Sequence, residues 1–129
     1  MSVTGKSVKD IMNKDPLSVE KSAPLKEVIT VMAEKNIGAV IVTDGGTPAG
    51  IFSERDLLKK VVAQDKDPAG CVVSDAATHR LTGIKSSSSI ETCAREMYRL
   101  NLRHFPVSED GKIVGMVSIR DVLGALINP

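Results

Sequence analysis

Gly50-Ile51-Phe52-Ser53-Glu54-Arg55-Asp56 decides the reading of this chain, because 65 residues later it is written again as Gly115-Met116-Val117-Ser118-Ile119-Arg120-Asp121. The same offset, without a gap, pairs Val8 with Val73, Asp10 with Asp75, Ser22 with Ser87 and Met32 with Met97. It also pairs Asn36 with Asn101, Val42 with Val107, Gly46 with Gly111 and Leu58 with Leu123. A register that holds from one end of the chain to the other means a duplicated unit with no insertion in either copy. The two copies are residues 1–65 and 66–129.

Working outward from the motif, each copy reads as the same series of elements. A short segment carrying an Asp (residues 8–12 or 73–77) precedes a brief extended piece ending at Val19 or Ile84. Leu25, Val28, Ile29 and Met32 then recur at helical spacing, as do Ile90, Cys93, Ala94 and Met97, predicting helices over 25–35 and 90–100. Asn36 and Asn101 close them, because Asn tolerates the left-handed backbone that ends many helices. Residues 39–43 and 105–108 are β-branched or aromatic runs that lead into turns at Asp44-Gly45-Gly46 and Glu109-Asp110-Gly111. A second strand follows each turn and feeds at once into a helix starting near Ser53 or Ser118. Each copy is thus strand, helix, strand, strand, helix. The polar stretch 64–70 joins the copies. A unit of this size buries little surface alone, so the two are expected to pack on one another about a pseudo-twofold axis, giving an α+β fold.

Composition removes several function classes. The 129 residues are 42% apolar with 2% aromatics, so the core is built from Val, Ile, Leu, Met and Ala. Seventeen basic against 16 acidic residues leave a net charge of +1, which gives no field for nucleic acid or an anionic membrane. Any anion site must be local. No window approaches the roughly 18 apolar residues of a membrane span, and Lys6, Lys9 and Asp10 stand where a signal peptide needs an apolar run. A cytoplasmic location is expected. Cys71 and Cys93, without C-x-x-C spacing, read as reduced, buried small hydrophobes.

The repeated motif admits two readings. Ser followed three residues later by an acid is a capping box, in which Ser53 or Ser118 caps the helix and Asp56 or Asp121 reaches back to a backbone N–H. Alternatively, the helix start is an anion site, the Asp accepts hydrogen bonds from the vicinal hydroxyls of a ribose, and Arg55 and Arg120 face phosphate oxygens. Capping by itself requires neither the Arg nor the preceding Gly.

The doubled pattern of Gly, two apolar residues, Ser, any residue, Arg and Asp, after a Gly-Gly or Asp-Gly turn and an apolar strand, resembles the CBS domain family. The two copies together resemble one CBS pair across essentially the whole chain. Arg103-His104-Phe105-Pro106-Val107 resembles the family's basic segment leading into a Pro-Val strand. The resemblance implies a non-catalytic regulatory or sensor module that binds an adenosyl ligand in the cleft between the repeats. AMP is expected foremost, then ADP, ATP or NAD(H), with no catalytic cofactor and no metal. It also implies a homodimer read by an effector protein. On matching positions, Asp121 and Asp56 would hold ribose hydroxyls, with Ser118 and Ser53 beside the ribose or first phosphate. Arg120, Arg103 and His104 would face phosphates, with Arg55 their counterpart. Adenine would lie against Leu17, Ser18 and Val19 for the Asp121 site, and against Thr82 and Ile84 for the Asp56 site. The first copy departs from the pattern, having Gly38-Ala39-Val40-Ile41 where the second has Arg103-His104-Phe105-Pro106, and Gly83 replaces a residue that is often polar. Two unequal sites are expected, the Asp121 site being stronger for an anion.

Catalysis finds little support. His79 and His104 are the only histidines and do not occupy repeating positions, so no nucleophile and base are juxtaposed by the duplication. Lys59, Lys60, Arg95 and Arg99 read as solvated helix faces. The rival from another class is a structural or interaction CBS pair that dimerises with no physiological nucleotide.

Overall fold

In a computed structural model that describes residues 5–129, the chain forms two compact units, Leu17–Leu81 and residues 5–16 with Thr82–Pro129. The units do not coincide with the halves written in the sequence. Val8, in the first copy, is fully buried among Ile84, Ile90 and Val122, while Val73, in the second copy, is fully buried among Leu25, Val40 and Phe52. The exchange is reciprocal down to single hydrogen bonds. Val8 N–H donates to Ser88 O at 2.8 Å and Val73 N–H to Ala23 O at 2.8 Å.

In the unit Leu17–Leu81, β1 (Ser18–Glu20) runs parallel to β2 (Ala39–Asp44) through the crossover helix α2 (Leu25–Lys35). β2 pairs antiparallel with β3 (Thr47–Ser53). The turn between them takes positive φ at both Gly45 (61°) and Gly46 (85°), a geometry that matches strand twist and favours glycine. From β3 the chain enters one helical turn, α3 (Glu54–Asp56), which continues as a π-helix over Leu57–Val62. A 3₁₀ turn, Val73–Asp75, completes the core.

The second unit repeats this plan. α1 (Val8–Ile11) closes its core; β4 (Ile84–Lys85) is parallel to β5 (His104–Glu109) through α4 (Ile90–Leu100), and β5 is antiparallel to β6 (Lys112–Ser118). Here the last helix, α5 (Ile119–Ile127), is regular. Asn36 and Asn101 take φ of 53° and 54° at the ends of α2 and α4, as the helix-stop reading expects. Both hairpins slip register at corresponding places, between Val42 and Thr43 and between Val107 and Ser108.

Each core holds one aromatic ring, on opposite strands of its hairpin. Val40 on β2 faces Phe52 on β3, whereas Phe105 on β5 faces Val117 on β6, and all four are essentially inaccessible to solvent. The cross-strand pair keeps its volume while its members trade places, which is what close packing demands of a duplicated core.

Candidate functional site

Both strand-to-helix junctions are built alike. β3 delivers Ser53 in an extended conformation; its Oγ accepts Asp56 N–H at 3.3 Å, and Asp56 Oδ2 accepts Ser53 N–H at 3.0 Å. β6 delivers Ser118 likewise; its Oγ accepts Asp121 N–H at 3.2 Å, and Asp121 Oδ2 accepts Ser118 N–H at 2.8 Å. The capping box is therefore present at both copies. A further first-turn donor is satisfied by the residue just ahead of the neighbouring strand, Glu54 N–H to Gly38 O at 3.0 Å before β2 and Ile119 N–H to Arg103 O at 2.8 Å before β5.

The glycines of the motif have a packing cause, which corrects their use as a sign of ligand binding. A Cβ on Gly50 would stand 2.5 Å from Thr78 O, and one on Gly115 would stand 2.6 Å from Asn13 O. Gly83 is similar, since a Cβ there would meet Pro106 O at 2.6 Å. Only a glycine lets those backbones come so close.

The two carboxylates differ in what their second oxygen meets. Asp56 is only 7% exposed, and its Oδ1 accepts Thr78 Oγ1–H at 2.9 Å and lies 3.1 Å from the Lys60 ammonium. Lys60 is also anchored by Ala77 O and Thr78 Oγ1, each at 3.2 Å. Asp121 is half-buried, and among the described residues its carboxylate accepts from the Ser118 N–H alone. Beside Asp121, Ala125 stands in the place that Lys60 has beside Asp56, and Asn13 in the place that Thr78 has there, with Asn13 Oδ1 turned to Asp15 N–H at 3.0 Å. The charge on Asp121 reaches the core: the Cys93 thiol is pushed up to about 11 by burial first and by that carboxylate second.

Around Asp121, Arg120 is exposed on the first turn of α5, and Arg103 is exposed just ahead of β5. His104 opens β5 half-buried, opposite Ser118 in register, and Pro106 is buried opposite Met116. These residues gather at one end of the β5–β6 hairpin. Thr82 is exposed and Ile84 is buried in β4 beside Val107, both in this same unit. In the other unit Ala39 is buried opposite Ser53, and Arg55 is exposed. Leu17 accepts Ile41 N–H at 3.0 Å through its carbonyl, and Ser18 and Val19 lie in β1, all within Leu17–Leu81.

Lys60 and Thr78 were absent from the residues expected from sequence, and Lys60 is corrected from a merely solvated position to an ion-pair partner. Its signal was the spacing of four from Asp56, the acid-first order that favours pairing on a helix. Thr78 had no local signal, being 22 residues from Asp56. A depression of about 230 Å³ in the same unit, lined by Ile29, Met32, Ile37, Glu54 and Leu57, does not include Asp56. His79 Nε2 lies 2.9 Å from Ser74 O, both thiols are free, and among the described residues no three His, Cys, Asp or Glu side chains converge as metal ligands. No helix of the described residues is long and apolar enough to cross a membrane.

The chain matches the CBS domain over residues 8–63 and again over 73–128. It is 27% identical over 116 residues to the CBS domain-containing protein YhcV of Bacillus subtilis, covering 90% of this chain and 82% of that protein. It is 29% identical to the protein MK0525 of Methanopyrus kandleri, of whose length it spans 61%. A signal-transduction protein with CBS domains from Burkholderia ambifaria superposes with a TM-score of 0.90 at 32% identity, covering 95% of both chains. The CBS domain pair of protein MJ0100, solved with 5-methylthioadenosine and S-adenosyl-L-methionine, superposes at 0.83 with 23% identity, covering 95% of this chain and 97% of that one. With its duplicated strand-to-helix junction, its two matching three-stranded units and this likeness along its whole length, the chain belongs to the CBS domain family and carries two CBS domains in tandem.

Proposed function

We propose that this CBS pair is a non-catalytic regulatory module that binds an adenine nucleotide, AMP foremost and then ADP, ATP or NAD(H). The observation that carries the reading is the state of Asp121. One oxygen of this half-buried carboxylate caps α5, while the other has no protein donor among the described residues, which suits the two O–H groups of a ribose. Exposed Arg103 and Arg120 at the same end of the hairpin supply cations for phosphate, with His104 and Ser118 beside them. The adenosyl ligands held by the MJ0100 CBS pair support the ligand class. The module acts as a homodimer in the cytosol, read by an effector protein.

A second reading is favoured by Asp56, whose carboxylate is wholly engaged inside its own unit, as a structural or interaction pair would have it. Calorimetric titration with AMP separates the two. Asp121→Ala removes two charge-assisted hydrogen bonds worth roughly 1.5–3 kcal/mol each, so affinity falls by about a hundredfold or more if the ribose sits there. Unchanged affinity beside a lowered melting temperature of the free protein would leave Asp121 a helix cap and reject the site.

A further inference from the structure

We propose that Lys60 and Thr78 take the place of a ribose at the first copy, so that each chain holds one adenine nucleotide, at Asp121, and Asp56 locks its own fold instead. The inference rests on the nucleotide-binding reading above and adds the occupancy of its two motifs.

A carboxylate offers about four lone-pair sites. Asp56 meets four donors: Ser53 N–H at 3.0 Å, Ser53 Oγ at 3.1 Å, Thr78 Oγ1 at 2.9 Å and Lys60 Nζ at 3.1 Å. A ribose diol brings two hydroxyl donors of its own, and to reach Asp56 it must displace Thr78 and strip Lys60 of its counter-charge. The Asp56 carboxylate is nearly buried although the Lys60 side chain is 39% exposed, so taking its ammonium partner away leaves a poorly solvated charge uncompensated, which is unfavourable. Lys60 is not easily swung aside, because Ala77 O and Thr78 Oγ1 hold it as well. At the second motif both substitutes are missing, since Ala125 carries no donor and, among the described residues, Asn13 makes no hydrogen bond to the Asp121 carboxylate, its side-chain oxygen accepting from Asp15 N–H. Two motifs that read alike in sequence are thus a closed carboxylate and an open one.

The test uses the full chain, AMP as the probe, and the isosteric variants Asp56→Asn, Asp121→Asn and Lys60→Met. Titration calorimetry should give one AMP per wild-type chain, retained in Asp56→Asn and lost in Asp121→Asn. Two AMP per wild-type chain, or uptake that vanishes with Asp56→Asn and survives Asp121→Asn, overturns the proposal. Melts without ligand decide the lock separately. Asp56→Asn should lower the melting temperature clearly more than Asp121→Asn, and Lys60→Met should cost much less in the Asp56→Asn background than in wild type, because contacting partners are not additive. Equal losses in the two Asn variants with an additive Lys60→Met overturn the lock. If wild type takes up no AMP, the nucleotide reading fails and the occupancy with it, while the melts still decide whether Asp56 and Lys60 lock the fold.

Discussion

Ile51 and Thr78 exchange two backbone hydrogen bonds, Thr78 N–H to Ile51 O at 2.8 Å and Ile51 N–H to Thr78 O at 2.9 Å, although they come from different copies of the repeat. Asn13 and Met116 do the same at 2.8 and 3.0 Å. Each bridge lays a segment of one copy against the motif strand of the other, and each brings a backbone carbonyl onto the motif glycine. Gly50→Ala and Gly115→Ala should therefore each cost about 1–3 kcal/mol, because a paired carbonyl cannot yield to a methyl without breaking the bridge. Urea unfolding should show lower midpoints at unchanged slope; midpoints equal to wild type would mean the bridges are looser than the distances say.

A second expectation concerns acid. Glu20 accepts Thr43 Oγ1–H at 2.7 Å and the Gly45 N–H, tying β1 to the β2–β3 turn, and the Thr43 hydroxyl first and the Gly45 amide second hold its carboxyl below its ordinary value. A carboxyl lowered on folding contributes stability above its unfolded pKa, and the contribution is lost as pH falls through its folded pKa. Glu20→Gln should thus melt below wild type at neutral pH, and the gap should close as pH drops below about 4. A gap that stays constant across that range would show that the carboxylate charge is not what ties the turn.

The two thiols should differ sharply in reactivity. Cys93 is fully buried with its thiol pushed up to about 11, whereas Cys71 is half-buried. Since the thiolate is the nucleophile, iodoacetamide at pH 8 should alkylate Cys71 readily and Cys93 only after denaturation, as followed by mass spectrometry. Labelling of both at similar rates in the folded protein is the contrary result.

Assembly is predicted from apolar side chains that stay in solvent. Leu58 and Val62 are 61% and 58% exposed, and at the corresponding places of the second copy Leu123 and Ile127 are 49% and 73% exposed. Apolar groups repeated on both last helices mark an interface, so sedimentation velocity at micromolar concentration should show a homodimer. Leu58→Glu should weaken it at least about tenfold, the cost of burying an unpaired charge. A monomer throughout that range rejects the prediction.

What the sequence determined by itself was everything with a local period or a local backbone need. The helices over 25–35 and 90–100, their Asn stops, the two glycine-bearing turns and the Ser-to-Asp caps follow from side-chain spacing and from φ preferences, which act within a few residues. That the first copy departs from the second was also legible, from Arg103 and His104 standing where the first copy has Gly38 and Ala39. The engagement of Asp56 was not, because Thr78 reaches that carboxylate from 22 residues away, on a segment held by the Ile51 bridge. Tertiary structure alone decided that Val8 and Val73 each complete the other copy's core, and that Val40 with Phe52 balances Phe105 with Val117. Those outcomes depend on filling a shared volume and on pairing backbone groups far apart in the chain, and neither condition leaves a periodic trace in the residues that meet it.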